Sequence, residues 1–271
     1  MNRLMIALAA LAVGGCGASN AFGDDTTETE MSCAALAGLE IANIEITSAE
    51  MKSAGSFSFG ANPDSTTMEL PDHCYVEGIS NERKGADGKT YGLGFALAMP
   101  ANWNGRFLFQ GGGGLNGTVH PPLGGNAAGD TPALARGFAV ISTDGGHKGT
   151  GGFDPSFMTD QQAALDFAGQ SVAKVTQLGK DIAKAYYGQA AHHTYISGCS
   201  TGGRESMLAA QRYPMLFDGA VVGAPAMRTG HSNFALRKAV AAFNEIAPRD
   251  EEGNPQLGRA FSSADAARCT M

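Results

Sequence analysis

Three short, nearly unbroken apolar runs constrain this chain more than anything else: RFLFQ at 106–110, GFAVIS at 137–142 and HTYIS at 193–197. They are too short for helices, and they lack the polar alternation of a strand with one wet face. Strands buried on both faces of a parallel sheet read this way. Between the second and third runs lies the clearest helix, over 160–187, where Leu165, Ala168, Val172, Val175, Leu178, Ile182 and Tyr186 recur at three- and four-residue spacing. Asp160 is placed to cap its start and Gly188 to stop it. A second helical stretch runs from about Gly202 to Tyr213 and ends at Pro214, and DGAVVGAP at 218–225 supplies a further strand. This alternation predicts an α/β domain with a parallel sheet, its functional loops at the carboxyl ends of the strands.

Upstream, the runs IANIEI and CYVEGI within 33–80 read as strands at the edge of the sheet, and YGLGFALAMP alternates Leu93, Phe95, Leu97 and Met99 as a strand with one buried face. From Met227 the pattern changes to an amphipathic helix, NFALRKAVAAFNEIA, then a polar turn and the start of another helix. The organisation expected is a core at 33–226 followed by the opening of a further domain at 227–271. The net charge of −7 comes without any lysine or arginine cluster, which argues against nucleic acid as a partner.

The first 21 residues read as an export signal, with Arg3 followed by an apolar run from Leu4 to Val13 and then small residues, and 22–32 as a polar linker. VGGC ending at Cys16 looks like a bacterial lipoprotein box, so a lipid on Cys16 is the one expected route to a membrane. Cleavage after Ala21 is the alternative, leaving a periplasmic or secreted protein. Export places Cys33, Cys74, Cys199 and Cys269 in an oxidising compartment, and Cys33–Cys74 is the preferred of three possible connectivities.

The chemistry concentrates at GCSTGGR, residues 198–204, a Gly-x-Ser-x-Gly pattern with a buried strand entering and a helix leaving. Gly198 and Gly202 allow a tight turn that exposes the Ser200 hydroxyl as a nucleophile, and the helix N-terminus favours developing negative charge. The alternative role for Ser200 is a helix N-cap. An acyl-transfer nucleophile needs oxyanion donors. These are expected from the N–H of Thr201 and from FQGGGGLNG at 109–117, with Gly113 and Gly114 the leading candidates. No Gly-Lys-Ser/Thr follows that loop, which disfavours a phosphate cradle. Asp144 and His147, in STDGGHKG after the second buried run, are expected to support the loops or to touch substrate. A Ser200–Asp218–His231 triad is disfavoured, because Asp218 opens a strand and no further strand positions His231. His192 and His193, at the entry of the third run, read as structural.

LAMPANWNGRFLFQGGGGLNG, GFAVISTDGGH and HHTYISGCSTGGRESMLAAQRYPMLFDGAVVGAPA together resemble the tannase and feruloyl esterase family of α/β hydrolases, from about Cys33 to Ala226. The resemblance implies an α/β-hydrolase fold and serine-dependent hydrolysis of esters of aromatic acids such as feruloyl, galloyl or terephthalate monoesters. It also implies that the cysteine before the nucleophile, Cys199 here, bonds to a cysteine directly after the catalytic histidine. A large lid, often calcium-binding, precedes that histidine and the catalytic acid. Cys269 follows Arg268 and not a histidine. The expectation is therefore a chain that stops inside the lid, with the acid, the histidine, the Cys199 partner and the calcium loop all beyond its end, poorly soluble and nearly inactive. A non-catalytic exported binding protein that keeps the fold is the alternative, and an acyltransferase using the same serine a weaker third.

Overall fold

The computed structural model of the chain describes residues 30–58, 67–125, 131–149, 152–262 and 265. The expected export signal with Cys16, most of the polar linker at 22–32, and Cys269 lie outside the described residues. In chain order the strands are β1 (Ile44–Lys52), β2 (Gly55–Ser58), β3 (Thr67–Leu70), β4 (His73–Lys84), β5 (Thr90–Pro100), β6 (Arg106–Gln110), β7 (Ala139–Thr143), β8 (His193–Cys199) and β9 (Gly219–Gly223). The helices are α1 (Gln161–Leu165), α2 (Ser171–Tyr187), α3 (Thr201–Arg212) and α4 (Thr229–Ile246).

Seven strands form one sheet in the order β1-β4-β5-β7-β6-β8-β9, and β2 and β3 form a separate hairpin. The three apolar runs are adjacent, with β6 paired in parallel to both β7 and β8, and β8 in parallel to β9. The other half is antiparallel, through β1–β4, β4–β5 and β5–β7. The sheet is thus mixed: the apolar runs pair in parallel as expected, and the strands upstream of them add the antiparallel half.

Two expectations for this antiparallel half are corrected. β4 is an internal twelve-residue strand and not an edge; only β1 is at the margin. β5 is buried on both faces and not one. Leu93, Phe95, Leu97 and Met99 join a large cluster with Phe107, Phe109, Ile141 and the α2 residues Val172, Val175, Leu178 and Ile182. The intervening Ala98 packs on the opposite face with Leu108, Val140 and Leu134. Alanine and glycine on that second face hide the burial from any hydropathy alternation, since small residues pack closely without reading as strongly apolar.

The single helix expected over 160–187 is also corrected. Asp160 caps α1 by accepting the Ala163 N–H at 2.9 Å, as the sequence suggested, and Gly188 ends α2 in the left-handed conformation. Between them, however, Asp166–Gln170 forms a wide turn in which Gly169 takes φ 142°. The apolar spacing continues across the turn, so periodicity could not reveal the break. A disulfide joins Cys33 to Cys74, tying the segment before β1 to the start of β4.

Candidate active site

Parallel strands deliver their carboxyl ends, and the loops after them, to one end of the sheet. β8 ends at Cys199 and α3 begins at Thr201, so Ser200 alone makes the turn. Its backbone sits at φ 59°, ψ −116°, a conformation that strains any residue with a Cβ. Three bonds hold it there: Ser200 N–H donates to the Gly223 carbonyl, and the Ser200 carbonyl accepts from Arg204 and Ala226, each at 3.0 Å. Ser200 is exposed, and its side chain makes no capping bond to α3. The N-cap alternative therefore lacks the bond that would define it.

The flanking glycines are required by contact. A Cβ at Gly198 would lie 2.5 Å from the Gly202 carbonyl carbon, and one at Gly202 would lie 2.8 Å from the Gly112 carbonyl oxygen. The elbow and the glycine loop after β6 therefore touch backbone to backbone. Gly202 N–H donates to Gly112 at 2.9 Å, Gly111 N–H donates to Ser197 at 2.8 Å, and the Thr201 hydroxyl donates to the Gly114 carbonyl. Gly112 N–H is taken by Glu205 at 2.9 Å. Gly113 and Gly114, in contrast, have no acceptor for their N–H among the described residues. Two amides beside the elbow are thus uncommitted.

Asp144 and His147 lie beneath this loop. Gly117 N–H donates to the Asp144 carbonyl at 2.8 Å, and the Asp144 carboxylate accepts from Gly94 at 3.1 Å and Gly146 at 2.8 Å. Burial pushes the Asp144 pKa up to about 7 against these bonds. His147 is buried and stacked on Phe157, with ring centroids 3.6 Å apart and Phe167 edge-on. Among the described residues, neither of its ring nitrogens has a partner in hydrogen-bonding geometry. Burial lowers its pKa, opposed in part by the Leu115 backbone and the charge of Asp154.

Other sequence candidates are kept apart from Ser200. Asp218 pairs with Thr194 at the start of β8, accepting its N–H at 2.7 Å. That end is six residues (194 to 200), roughly 20 Å of strand, from Ser200. His231 is exposed in the first turn of α4. His192 packs against Gly105 and Trp103, and His193 against Tyr195, at the far end of the sheet. Cys199 is exposed and forms no disulfide among the described residues. Two residues were missed by sequence reasoning: the buried Glu205, and Asn116, whose amide donates to it at 3.2 Å. The available signal was a charged residue four positions after Thr201, on the face of α3 that carries the elbow.

The family model "Tannase and feruloyl esterase" matches residues 74–269. The chain belongs to the tannase and feruloyl esterase family. It is 40% identical over 207 residues to mono(2-hydroxyethyl) terephthalate hydrolase of Piscinibacter sakaiensis, covering 72% of this chain and 34% of that protein. It is 41% identical over 129 residues to a probable feruloyl esterase B-1 of Aspergillus fumigatus, covering 48% of this chain and 23% of that protein. The solved feruloyl esterase B from Aspergillus oryzae superposes with a TM-score of 0.61 at 29% identity, over 80% of this chain and 41% of that one. The fold is that of the α/β hydrolases. The match spans 34% of the length of the first of these curated relatives and 23% of the second. For the calcium that the family resemblance implied, no group of three or more His, Cys, Asp or Glu among the described residues is placed to hold a metal ion.

Proposed function

We propose that this chain carries the nucleophile and oxyanion half of a serine carboxylesterase acting on esters of aromatic acids. The observation that carries the reading is Ser200, held exposed at a positive φ between β8 and α3, beside a glycine loop with uncommitted amides. Ser200 Oγ attacks the ester carbonyl carbon and its proton passes to a general base. The carbonyl oxygen, now an oxyanion, is held by Thr201 N–H and by Gly113 and Gly114 N–H. Collapse expels the alcohol and leaves an acyl-serine, which water hydrolyses. Asp144 and His147 support the loop from below. Feruloyl, galloyl and terephthalate monoesters are the substrate class, supported by the names of the relatives. An exported location is supported by the Cys33–Cys74 disulfide.

An activated ester tests the nucleophile directly, because its leaving group departs without general acid help. On p-nitrophenyl acetate the chain should release one equivalent of nitrophenolate and carry an acetyl group on Ser200, located by peptide mass. Ser200→Ala should carry none. An adduct on the neighbouring Cys199 thiol instead, or no adduct at all, sinks the assignment and favours a non-catalytic binding protein on the same fold. Turnover of feruloyl, galloyl and hydroxyethyl terephthalate esters, lost in Ser200→Ala, tests the substrate class.

A further inference from the structure

Glu205 is a buried carboxyl with no cation bonded to it among the described residues, which is costly unless its oxygens are well used. Its neighbour Arg204 turns away, donating to the Phe167 carbonyl at 3.0 Å and lying over the Phe167 ring. Both Glu205 oxygens instead serve the glycine loop. Oε2 accepts Gly112 N–H at 2.9 Å and Oε1 accepts the Asn116 side-chain amide at 3.2 Å. These two residues bracket Gly113 and Gly114. Asn116 closes the bracket from within, its backbone N–H donating to the Gly113 carbonyl at 2.8 Å in a left-handed conformation, φ 51°. There is no slack in this arrangement, since a Cβ on Gly112 would lie 2.3 Å from the Asn116 amide oxygen.

We propose that Glu205 is the positioning residue of the oxyanion loop: from one turn into the nucleophile helix, it grips the loop on both sides of Gly113 and Gly114 and so fixes those amides relative to Ser200. The inference rests on the proposed role of Ser200 and of the loop. The helix that presents the nucleophile therefore also sets the spacing to the oxyanion donors, and the two halves of the site move together. Glu205 touches no reacting atom. It also limits the conformations of a loop that contains four consecutive glycines, which would otherwise sample many.

Two substitutions of similar size separate this role from simple packing. Glu205→Gln keeps the grip: its carbonyl accepts Gly112 N–H, and once the Asn116 amide turns over, its amide donates to Asn116 Oδ1, which is buried without a partner among the described residues. Glu205→Leu fills the space but accepts nothing. In the p-nitrophenyl acetate reaction, Glu205→Leu should slow acylation of Ser200 about a hundredfold at saturating ester, the scale of losing an oxyanion donor. The half-saturating ester concentration should stay unchanged, because the loop acts on the transition state. Glu205→Gln should stay within about threefold of wild type. Amide hydrogen exchange supplies a readout independent of catalysis. Gly112 N–H should exchange at least about tenfold faster in the Leu variant and not in the Gln variant, while Gly111 N–H, bonded to Ser197, stays protected in both. Wild-type rates in the Leu variant overturn the proposal. So does an equal loss in both variants, which would assign the effect to charge, or an unchanged Gly112 exchange. If wild type forms no acyl-Ser200, the nucleophile reading fails, and the exchange experiment still decides the grip on its own.

Discussion

At Ser200 the backbone strain and the exposed hydroxyl are one fact. The conformation that lifts the side chain clear of α3 is tolerated only because Gly198 and Gly202 let the neighbouring backbone close around it. Asp144 carries the clearest pH signature at this scale. Its folded pKa is raised to about 7, while an unfolded aspartate titrates near 3.9. Between those values the folded state holds a proton that the unfolded state has lost, so unfolding free energy falls as pH rises from about 4 to 7 and is level above. Three units correspond to at most about 4 kcal/mol. In urea titrations at pH 4.5, 6 and 8, Asp144→Asn should be free of this contribution and gain on wild type as pH rises. A constant difference between the two proteins across that range would contradict the assignment. Ser200, Gly113 and Gly114 could be proposed from the sequence because glycine and serine chemistry is local. Glu205 could not be, because nothing near position 205 says that its partners are at 112 and 116.

At the scale of elements, the break between α1 and α2 is the feature that sequence periodicity misses. Gly169 at φ 142° has room for a side chain, since a Cβ added there would meet nothing closer than Leu208 Cδ1 at 3.7 Å. The cost of Gly169→Ala is therefore conformational and not steric, about 1–3 kcal/mol. A urea midpoint equal to wild type would show that the turn rewinds into a continuous helix without penalty. Asp160 does double service at the start of α1, capping Ala163 and pairing with both arms of the Arg83 guanidinium, which holds its pKa down at about 2. Asp160→Ala removes the cap and leaves Arg83 alone, so a loss of about 1–2 kcal/mol is expected near neutral pH. Because the folded pKa is depressed, the contribution should be full above about pH 4 and fade as pH falls towards 2.

For the whole molecule, the sheet is covered unevenly. β9 is a margin strand whose adjacent Val221 and Val222, on opposite faces, are 46% and 38% exposed. No residue of α4 is buried, and Phe234 and Leu236 are 74% and 62% exposed. An apolar edge strand without proline or charge invites pairing with another edge. Sedimentation velocity should show self-association that grows with concentration and is reduced in Val221→Lys/Val222→Lys. A monomer at every concentration would contradict this. At the other margin, the disulfide closes a separation of 41 residues, for which chain entropy gives a contribution of about 4 kcal/mol. Thermal unfolding of Cys33→Ser/Cys74→Ser should show most of it lost.

The sequence by itself determined the order of β6, β7, β8, α3 and β9, the buried character of β6, β7 and β8, the strand–serine–helix junction and the glycine loop. Each of these is written in a window of a few residues, through hydropathy period or through a backbone conformation that only certain residues adopt. The tertiary structure alone decided that β6 lies between β7 and β8, that the other half of the sheet runs antiparallel, and that small residues bury the second face of β5. It alone brought Glu205 to Gly112 across 93 residues of chain. Strand partners, close packing of small side chains and the low-dielectric setting of a buried carboxyl all arise from contacts between distant segments, and no local pattern encodes them.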